Sequence, residues 1–162
     1  MFLEHGLSRG YWGLPLQALW LLATINAGAA QPYVTAKELL DSGAPRLSAT
    51  EMRELIAPGS VTEYMSPSRI GWKLSWNNGP DGRHIIANHD LENRWTYMGS
   101  GTWRIRSDGA YCLVIKWHSL DDRWCRFVHR YDNALYLARP DLEKAPDGRQ
   151  GRIVSSPGQK RH

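Results

Sequence analysis

The sequence of 162 residues predicts a mainly β fold, a small antiparallel β-meander that closes as a barrel or packs as a sandwich, with one or two short N-terminal helices. Two observations predict this fold class. From Val61 onward, strand-like segments alternate with turns rich in Gly, Asn, Asp and Pro, at the spacing of about 8–12 residues that is typical of all-β domains. Upstream of them, two short segments carry helix-capping residues.

Alternation of apolar and polar residues predicts the strands, because successive side chains of a strand point to opposite faces. The clearest case is segment 70–76, which places Trp72 and Trp76 on one face and ends at the turn residues 77–82. Trp103 follows the same apolar phase in its own strand, so we expect all three rings in the core. The other predicted strands are 83–88, 94–98, 101–106, 111–117, 124–131 and 134–138.

Two capping patterns predict the helices. Thr35 is placed to cap a short helix over 36–40. Ser48 and Glu51 form a capping box, in which each side chain satisfies a free backbone N–H at the start of a helix. This second helix places Met52 and Ile56 on one stripe, which we expect to pack against the sheet.

The first thirty residues predict a cleavable export signal. Arg9 gives the start of the chain a positive charge, which Glu4 offsets, and the apolar run 14–25 is shorter than the roughly 20 residues of a membrane-spanning helix. Small residues then favour cleavage after Ala29 or Ala30. We therefore expect a periplasmic or secreted protein with no stable membrane insertion after cleavage; an uncleaved anchor or a buried helix is the alternative.

Cys112 and Cys125 are the two cysteines of the chain. An exported protein enters an oxidising compartment, so a disulfide between them is the favoured interpretation. Two free buried thiols and half of a metal site are the alternatives. Because the chain has no CxxC motif and no second cysteine pair, we expect no metal. The sequence also contains no cofactor-binding motif, so we expect no cofactor.

The net charge of +4 is concentrated at the C-terminal end. Residues 139–162 contain six Lys and Arg against three Asp and Glu, whereas 31–138 contain thirteen against twelve. Residues 31–138 are therefore predicted to form a single, nearly neutral β-rich domain. The basic segment 139–162, rich in Pro, Gly and Ser, is predicted to be a disordered tail. This charge distribution makes nucleic acid an unlikely partner.

The order of several short motifs resembles a known family. The run LSATEMRELI at 47–56 is followed by Gly71-Trp72, Pro80-Asp81-Gly82 and Gly101-Thr102-Trp103-Arg104, and then by Cys112, Trp117, Trp124-Cys125 and Arg130. This order is similar to the DUF995-like family of small exported proteobacterial proteins, over roughly residues 36–138. The resemblance implies a periplasmic or secreted β domain with a disulfide, and it brings no established activity or cofactor.

Trp117, His118 and Trp124 are the candidate ligand mouth. Trp117 and Trp124 flank the polar loop 118–122. Loops at barrel mouths and sandwich ends commonly hold ligands, and aromatic side chains there stack on rings, sugars or peptides. Core packing is the alternative role for the two tryptophans.

Four arginines form a second candidate site, because the alternation places all of them on the solvent face of neighbouring strands. Guanidinium groups in such a row can bind a carboxylate or a phosphate in a bidentate manner. A solvated sheet face is the alternative. The candidate anion-binding residues are Arg104, Arg106, Arg126 and Arg130.

No catalytic residue is assigned, because the chain has no GxSxG motif and both thiols are expected to be bonded. The favoured function is a non-catalytic exported module that binds an unknown small ligand or an envelope protein. One alternative is a hydrolase acting on envelope or extracellular polymers, and another is a binder of anionic polymers.

Overall fold

The structure, a computed structural model, describes residues 31–68, 71–90, 92, 94 and 96–157. The predicted export signal lies outside these residues. The described chain contains nine strands, two helices and one 3-10 turn, Leu142–Lys144. The elements are β1 (Tyr33–Thr35), α1 (Ala36–Asp41), α2 (Ala49–Leu55), β2 (Val61–Met65), β3 (Trp72–Asn78), β4 (Arg83–Asp90), β5 (Thr96–Ile105), β6 (Tyr111–Lys116), β7 (Asp121–Tyr131), β8 (Ala134–Ala138) and β9 (Arg149–Ser156).

Strands β2 to β9 form a closed antiparallel barrel of eight strands. Each strand from β2 to β8 pairs with its neighbour in sequence. The last strand, β9, pairs with β8 on one edge and with β2 on the other, which closes the barrel. The short strand β1 pairs with the beginning of β9. The predicted mainly β meander is thus confirmed, and its form is a barrel.

The prediction of a disordered tail from residue 139 is wrong for residues 139–157, which include β9. The sequence of β9 misled because it has little hydrophobic alternation: Ile153 is buried, Val154 is 45% exposed, and Arg149 and Arg152 interrupt the pattern. Backbone hydrogen bonds to strands on both edges stabilise β9 instead. A strand that is stabilised mainly by pairing need not contain a hydrophobic pattern, so the sequence of β9 does not reveal it.

Gly151 is the point at which β9 touches three other strands. It pairs with Tyr33 of β1 and with Leu137 of β8, and a Cβ atom here would collide with the carbonyl oxygen of Met65 at the end of β2. A glycine therefore permits the close backbone approach that closure requires.

Both helices begin at the predicted caps. Thr35 and Ser48 form capping boxes with Glu38 and Glu51, respectively. Helix α2 packs on the end of the barrel where β5 ends and β6 begins, and its Met52 and Ile56 are fully buried in the main core, as the stripe predicted. None of the helices in the described part of the chain has the length and apolar character needed to cross a lipid bilayer.

Helix α1 belongs to a second, smaller core on the outer face of β8. This outer core consists of Val34, Ala36, Leu39, Ala134, Tyr136, Ala138 and Leu142.

Large aromatic side chains fill the half of the barrel that lies next to α2, which we call the filled half. Trp76 and Tyr111 stack there with ring centroids 6.3 Å apart, and the Trp76 Nε1–H donates to Tyr111 Oη at 2.7 Å. Tyr111 in turn donates to Asn78 Oδ1 at 2.7 Å, and the Asn78 amide donates to Thr62 Oγ1 at 2.8 Å. These buried polar groups therefore satisfy one another, as a stable core requires.

The predicted disulfide is present between Cys112 and Cys125. The two residues lie directly opposite each other in the β6–β7 pair. Their neighbours Tyr111 and Leu113 face the barrel core, so the disulfide lies on the outer face.

Removal of β9 tests its role as the closing strand. We expect a chain that ends at Asp147 to lose cooperative thermal unfolding, because β8 and β2 would each expose an unpaired edge. A chain that ends at Pro157 retains every described element and should melt like the full protein. Circular dichroism melting curves measure both; a cooperative transition in the shorter chain would show that β9 is dispensable.

Candidate ligand cavity

A cavity of about 830 Å³ opens at the end of the barrel opposite α2. Its rim comprises the chain after β2, the start of β5, the loop between β6 and β7, and the segment between β8 and β9. Its deeper walls come from side chains of β2, β3 and β7. The lining residues include Tyr64, Ser66, Leu74, Tyr97, Met98, Trp117, His118, Leu120, Asp122, Trp124, Arg126, Arg139, Asp141, Arg149 and Gln150.

Trp117, His118 and Trp124, the predicted ligand mouth, all line this cavity. The two tryptophans are half-buried and pack against the edge of the main core, whereas His118 is exposed at the rim. The loop is held in place by a hydrogen bond from the Trp117 backbone N–H to the Leu120 carbonyl at 2.9 Å. The structure therefore brings the three predicted residues together at one cavity.

Gly99 of β5 makes room for the Trp117 ring. A Cβ atom on Gly99 would lie 2.8 Å from Cε3 of Trp117, which is closer than van der Waals contact allows. The ring therefore lies directly on the backbone of β5.

The structure places Arg126 inside the barrel, and the prediction that it shares a solvent face with the other arginines is wrong. Arg126 lies opposite Tyr111 in the β6–β7 pair, and Trp124 lies opposite Leu113. Residues opposite each other share a face, and Tyr111 and Leu113 are fully buried in the core. The alternation misled because both faces of β7 carry apolar residues: Phe127, on the outer face, is covered by the Arg46 guanidinium 4.3 Å from its ring centroid.

Arg126 is held by two aromatic side chains. Its Nη1 donates a hydrogen bond to Tyr64 Oη, and its guanidinium carbon lies 5.5 Å from the Tyr64 ring centroid and 5.0 Å from the Trp124 ring centroid. No carboxylate of the described residues lies within ion-pair distance of it. The hydrogen bond crosses the interior from β7 to β2 and marks the boundary between the filled half and the cavity.

Burial raises the pKa of Tyr64, and the nearby Arg126 charge offsets only part of that effect. Tyr64 therefore remains protonated at neutral pH. Since its oxygen accepts a hydrogen bond from Arg126, its own hydroxyl hydrogen is available to donate elsewhere.

The other three arginines of the predicted anion site are dispersed. Arg104 is exposed on the outer face opposite Cys112. Arg106 pairs with Asp108 at 3.1 Å in the β5–β6 turn, and Arg130 pairs with Glu51 of α2 at 3.5 Å. The four guanidinium groups therefore do not form one row.

Sequence reasoning missed the rim residues that follow β8, because it placed them in a disordered tail. Arg139 pairs with Asp141 at 3.4 Å, and its backbone N–H donates to Gln150 Oε1 at 3.1 Å. Gln150 is buried and also donates to the Gly148 carbonyl at 2.9 Å. These hydrogen bonds fix the rim next to β9.

The cavity holds one guanidinium in its interior, that of Arg126, and two at its rim, those of Arg139 and Arg149. Among the described residues, no group of three His, Cys, Asp or Glu side chains is arranged to hold a metal ion. The cavity instead combines aromatic walls, the Arg126 guanidinium and the Tyr64 hydroxyl. This combination can bind and orient an amphipathic molecule.

Comparisons with protein-family models, with curated proteins and with solved structures gave no match. The resemblance of residues 36–138 to the DUF995-like family therefore stays a prediction.

His84 is a buried titratable group of the filled half. It lies opposite Asn78 of β3 and Gly101 of β5 and is 3% exposed. Neither ring nitrogen has a hydrogen-bond partner among the described residues, and burial lowers its pKa from 6.5. Protonation of this imidazole therefore opposes folding.

The unfolding free energy should consequently fall on acidification. Burial lowers the pKa of His84 in the folded protein below 6.5, the value expected in the unfolded chain. The neutral side chain therefore contributes fully to stability above pH 6.5, and this contribution is lost as the pH falls towards the folded pKa. Between about pH 7 and pH 5, the unfolding free energy of the His84→Leu variant should change less than that of the parent protein. His129, whose pKa burial also lowers, should retain part of the dependence.

Urea unfolding at several pH values measures this dependence. The control is His118→Asn, which replaces an exposed imidazole and so shows whether the removal of any histidine has the effect expected for His84. An equally steep profile for His84→Leu and the parent protein would contradict a role of His84.

Proposed function

We propose that the protein is an exported, non-catalytic module that binds one small, largely apolar ligand in the open end of its barrel. The single observation that supports this most is the cavity of about 830 Å³ with Tyr64, Leu74, Trp117 and Trp124 in its walls. Ligand sites commonly have volumes of roughly 300–1,000 Å³ and mainly apolar walls with a few polar groups. Barrels of eight strands are wide enough to hold one small ligand.

Exposed apolar side chains at the rim support the same proposal. Tyr97, Met98 and Leu120 are 52%, 59% and 57% exposed, and all three line the cavity. Large apolar side chains that gather around one opening favour a binding site there. A ligand in the cavity would cover part of this surface.

The location we propose is the periplasm or the outside of the cell. The disulfide between Cys112 and Cys125 fits an oxidising compartment. The export signal predicted for residues 1–30 agrees with that location.

Expression of the full chain in a Gram-negative host tests export. We expect a mature protein beginning at Ala30 or Gln31 in the periplasmic or culture fraction, with a mass about two daltons below that of the reduced chain. Intact-mass spectrometry measures both features. The control Leu19→Arg interrupts the apolar run and should leave a full-length chain in the cytoplasm. An uncleaved parent chain in the cytoplasm would contradict the proposed location.

The neutral fluorophore N-phenyl-1-naphthylamine tests the binding site. We expect the folded protein to bind it with a Kd of about 1–10 µM and with enhanced fluorescence. Trp117→Ala should weaken binding roughly tenfold, because it removes an aromatic wall. The control Ile85→Ala changes an outer side chain that is 61% exposed and should bind like the parent.

Two results would contradict the proposed binding site. One is the absence of probe binding by a parent protein that melts cooperatively. The other is equal weakening of binding by Trp117→Ala and Ile85→Ala, since Trp117 lines the cavity and Ile85 does not.

A further inference from the structure

We infer that the ligand carries a carboxylate, which Arg126 and Tyr64 bind at the floor of the cavity, while its apolar body extends towards the mouth. This inference rests on the proposed function, since it assigns the ligand class of the same cavity. It is drawn from the unfilled hydrogen-bond donors of these two residues and from the distribution of charge along the cavity.

The Arg126 guanidinium has more donors than the protein uses. An arginine side chain offers five N–H groups, and the described residues accept only the hydrogen bond from Nη1 to Tyr64 Oη. The group is half-buried, and no described carboxylate balances its charge. Since burial shields part of this charge from water, an anion in the cavity would pair with it favourably.

Contacts with the rings hold the guanidinium in a fixed place. The ring centroids of Tyr64 and Trp124 lie 5.5 and 5.0 Å from its central carbon. Such cation–π contacts stabilise the charge but use none of its N–H groups. The planar guanidinium can therefore bind both oxygens of a carboxylate.

Tyr64 supplies a further donor at the same point. Its oxygen accepts from Arg126, and no acceptor for its own hydrogen lies within bonding distance among the described residues. The hydroxyl can therefore donate to the carboxylate that Arg126 binds. Arg126 belongs to β7 and Tyr64 to β2, and their side chains meet in the interior of the barrel. Both can therefore donate to the same carboxylate.

The charge pattern along β7 sets the orientation of the ligand. Asp122, Trp124 and Arg126 alternate along the same face, with Asp122 nearest the mouth. Four residues of a strand span about 13 Å, so the exposed Asp122 carboxylate lies at the mouth, as do Arg139, Asp141 and Arg149, whereas Arg126 attracts an anion at the floor. The walls between them are the aromatic and aliphatic side chains of Trp117, Trp124 and Leu74.

Competition experiments with matched ligands test the inference. Decanoate and decan-1-ol have the same alkyl chain and differ in the head group, and each is used to displace N-phenyl-1-naphthylamine at about pH 8, where the carboxylate is ionised. We expect the parent protein to bind decanoate about 10- to 100-fold more tightly than decan-1-ol, because charged hydrogen bonds favour the carboxylate.

Arg126→Met should abolish this preference and leave the affinity for decan-1-ol close to that of the parent. The matched control is Arg104→Met, which removes an exposed arginine on the outer face of the barrel, opposite Cys112, and should retain the preference. Tyr64→Phe removes the second donor and should reduce the preference by a smaller factor. It also provides a second measurement if Arg126→Met does not fold, as circular dichroism would show.

The outcomes separate this inference from the proposed function. If the probe binds but the parent does not prefer decanoate, the carboxylate inference fails and the binding site stands. The inference also fails if a rim variant, Arg139→Met or Arg149→Met, removes the preference while Arg126→Met and Tyr64→Phe keep it, since the anion would then lie at the rim. If the probe does not bind to the folded parent protein at all, the proposed function fails.

Discussion

Closure of the barrel by β9 is the constraint on which the rest of the structure depends. Without β9, strands β2 and β8 would be two free edges of an open sheet; with it, they become neighbours of one strand. In the closed barrel, β8 and β9 lie between β7 and β2. Arg126 of β7 and Tyr64 of β2 therefore face each other across the interior and form a hydrogen bond. Gly151 permits the approach, because any side chain there would meet the backbone of β2. The cavity and the position of the Arg126 guanidinium in its interior are therefore products of the closed barrel.

The interior is divided because its large rings are unevenly distributed. Trp76 and Tyr111 occupy the filled half, where they and Asn78 satisfy one another's polar groups, and α2 covers that end. At the other end neither of the described helices covers the opening, and the side chains of Leu74 and Trp124 leave space between them. A small barrel with side chains throughout has no room for a ligand, so this asymmetry creates the cavity.

The elements that could be predicted from the sequence are those with strong local signals. The capping boxes at Thr35 and Ser48 specify the helix starts, and hydrophobic alternation specifies the strands β3, β4 and β6 to β8. The single strand β5 differs from the two strands predicted over 94–98 and 101–106. The two tryptophans around the loop 118–122 could be placed at a mouth, because they flank a polar loop between paired strands. In contrast, β9 depends on its partners for stability, so its own residues carry little signal.

Charge alone does not indicate the face of Arg126, because both faces of β7 are covered by other side chains. The sequence did contain the necessary signal. If Cys112 and Cys125 are bonded across β6 and β7, Arg126 must lie opposite Tyr111, on the face that carries Tyr111, Leu113 and Ile115. That face of β6 is clearly the apolar one, so the register implied by the disulfide points Arg126 inward.

The same register connects the disulfide with the geometry of the cavity. Cys112 and Cys125 lie between two inward-facing cross-strand pairs, Tyr111–Arg126 and Leu113–Trp124. A slip of one residue would turn Trp124 and Arg126 to the outer face, since side chains alternate along a strand. The disulfide opposes such a slip by joining the two strands between these pairs. The disulfide therefore secures the position of the Arg126 side chain inside the barrel.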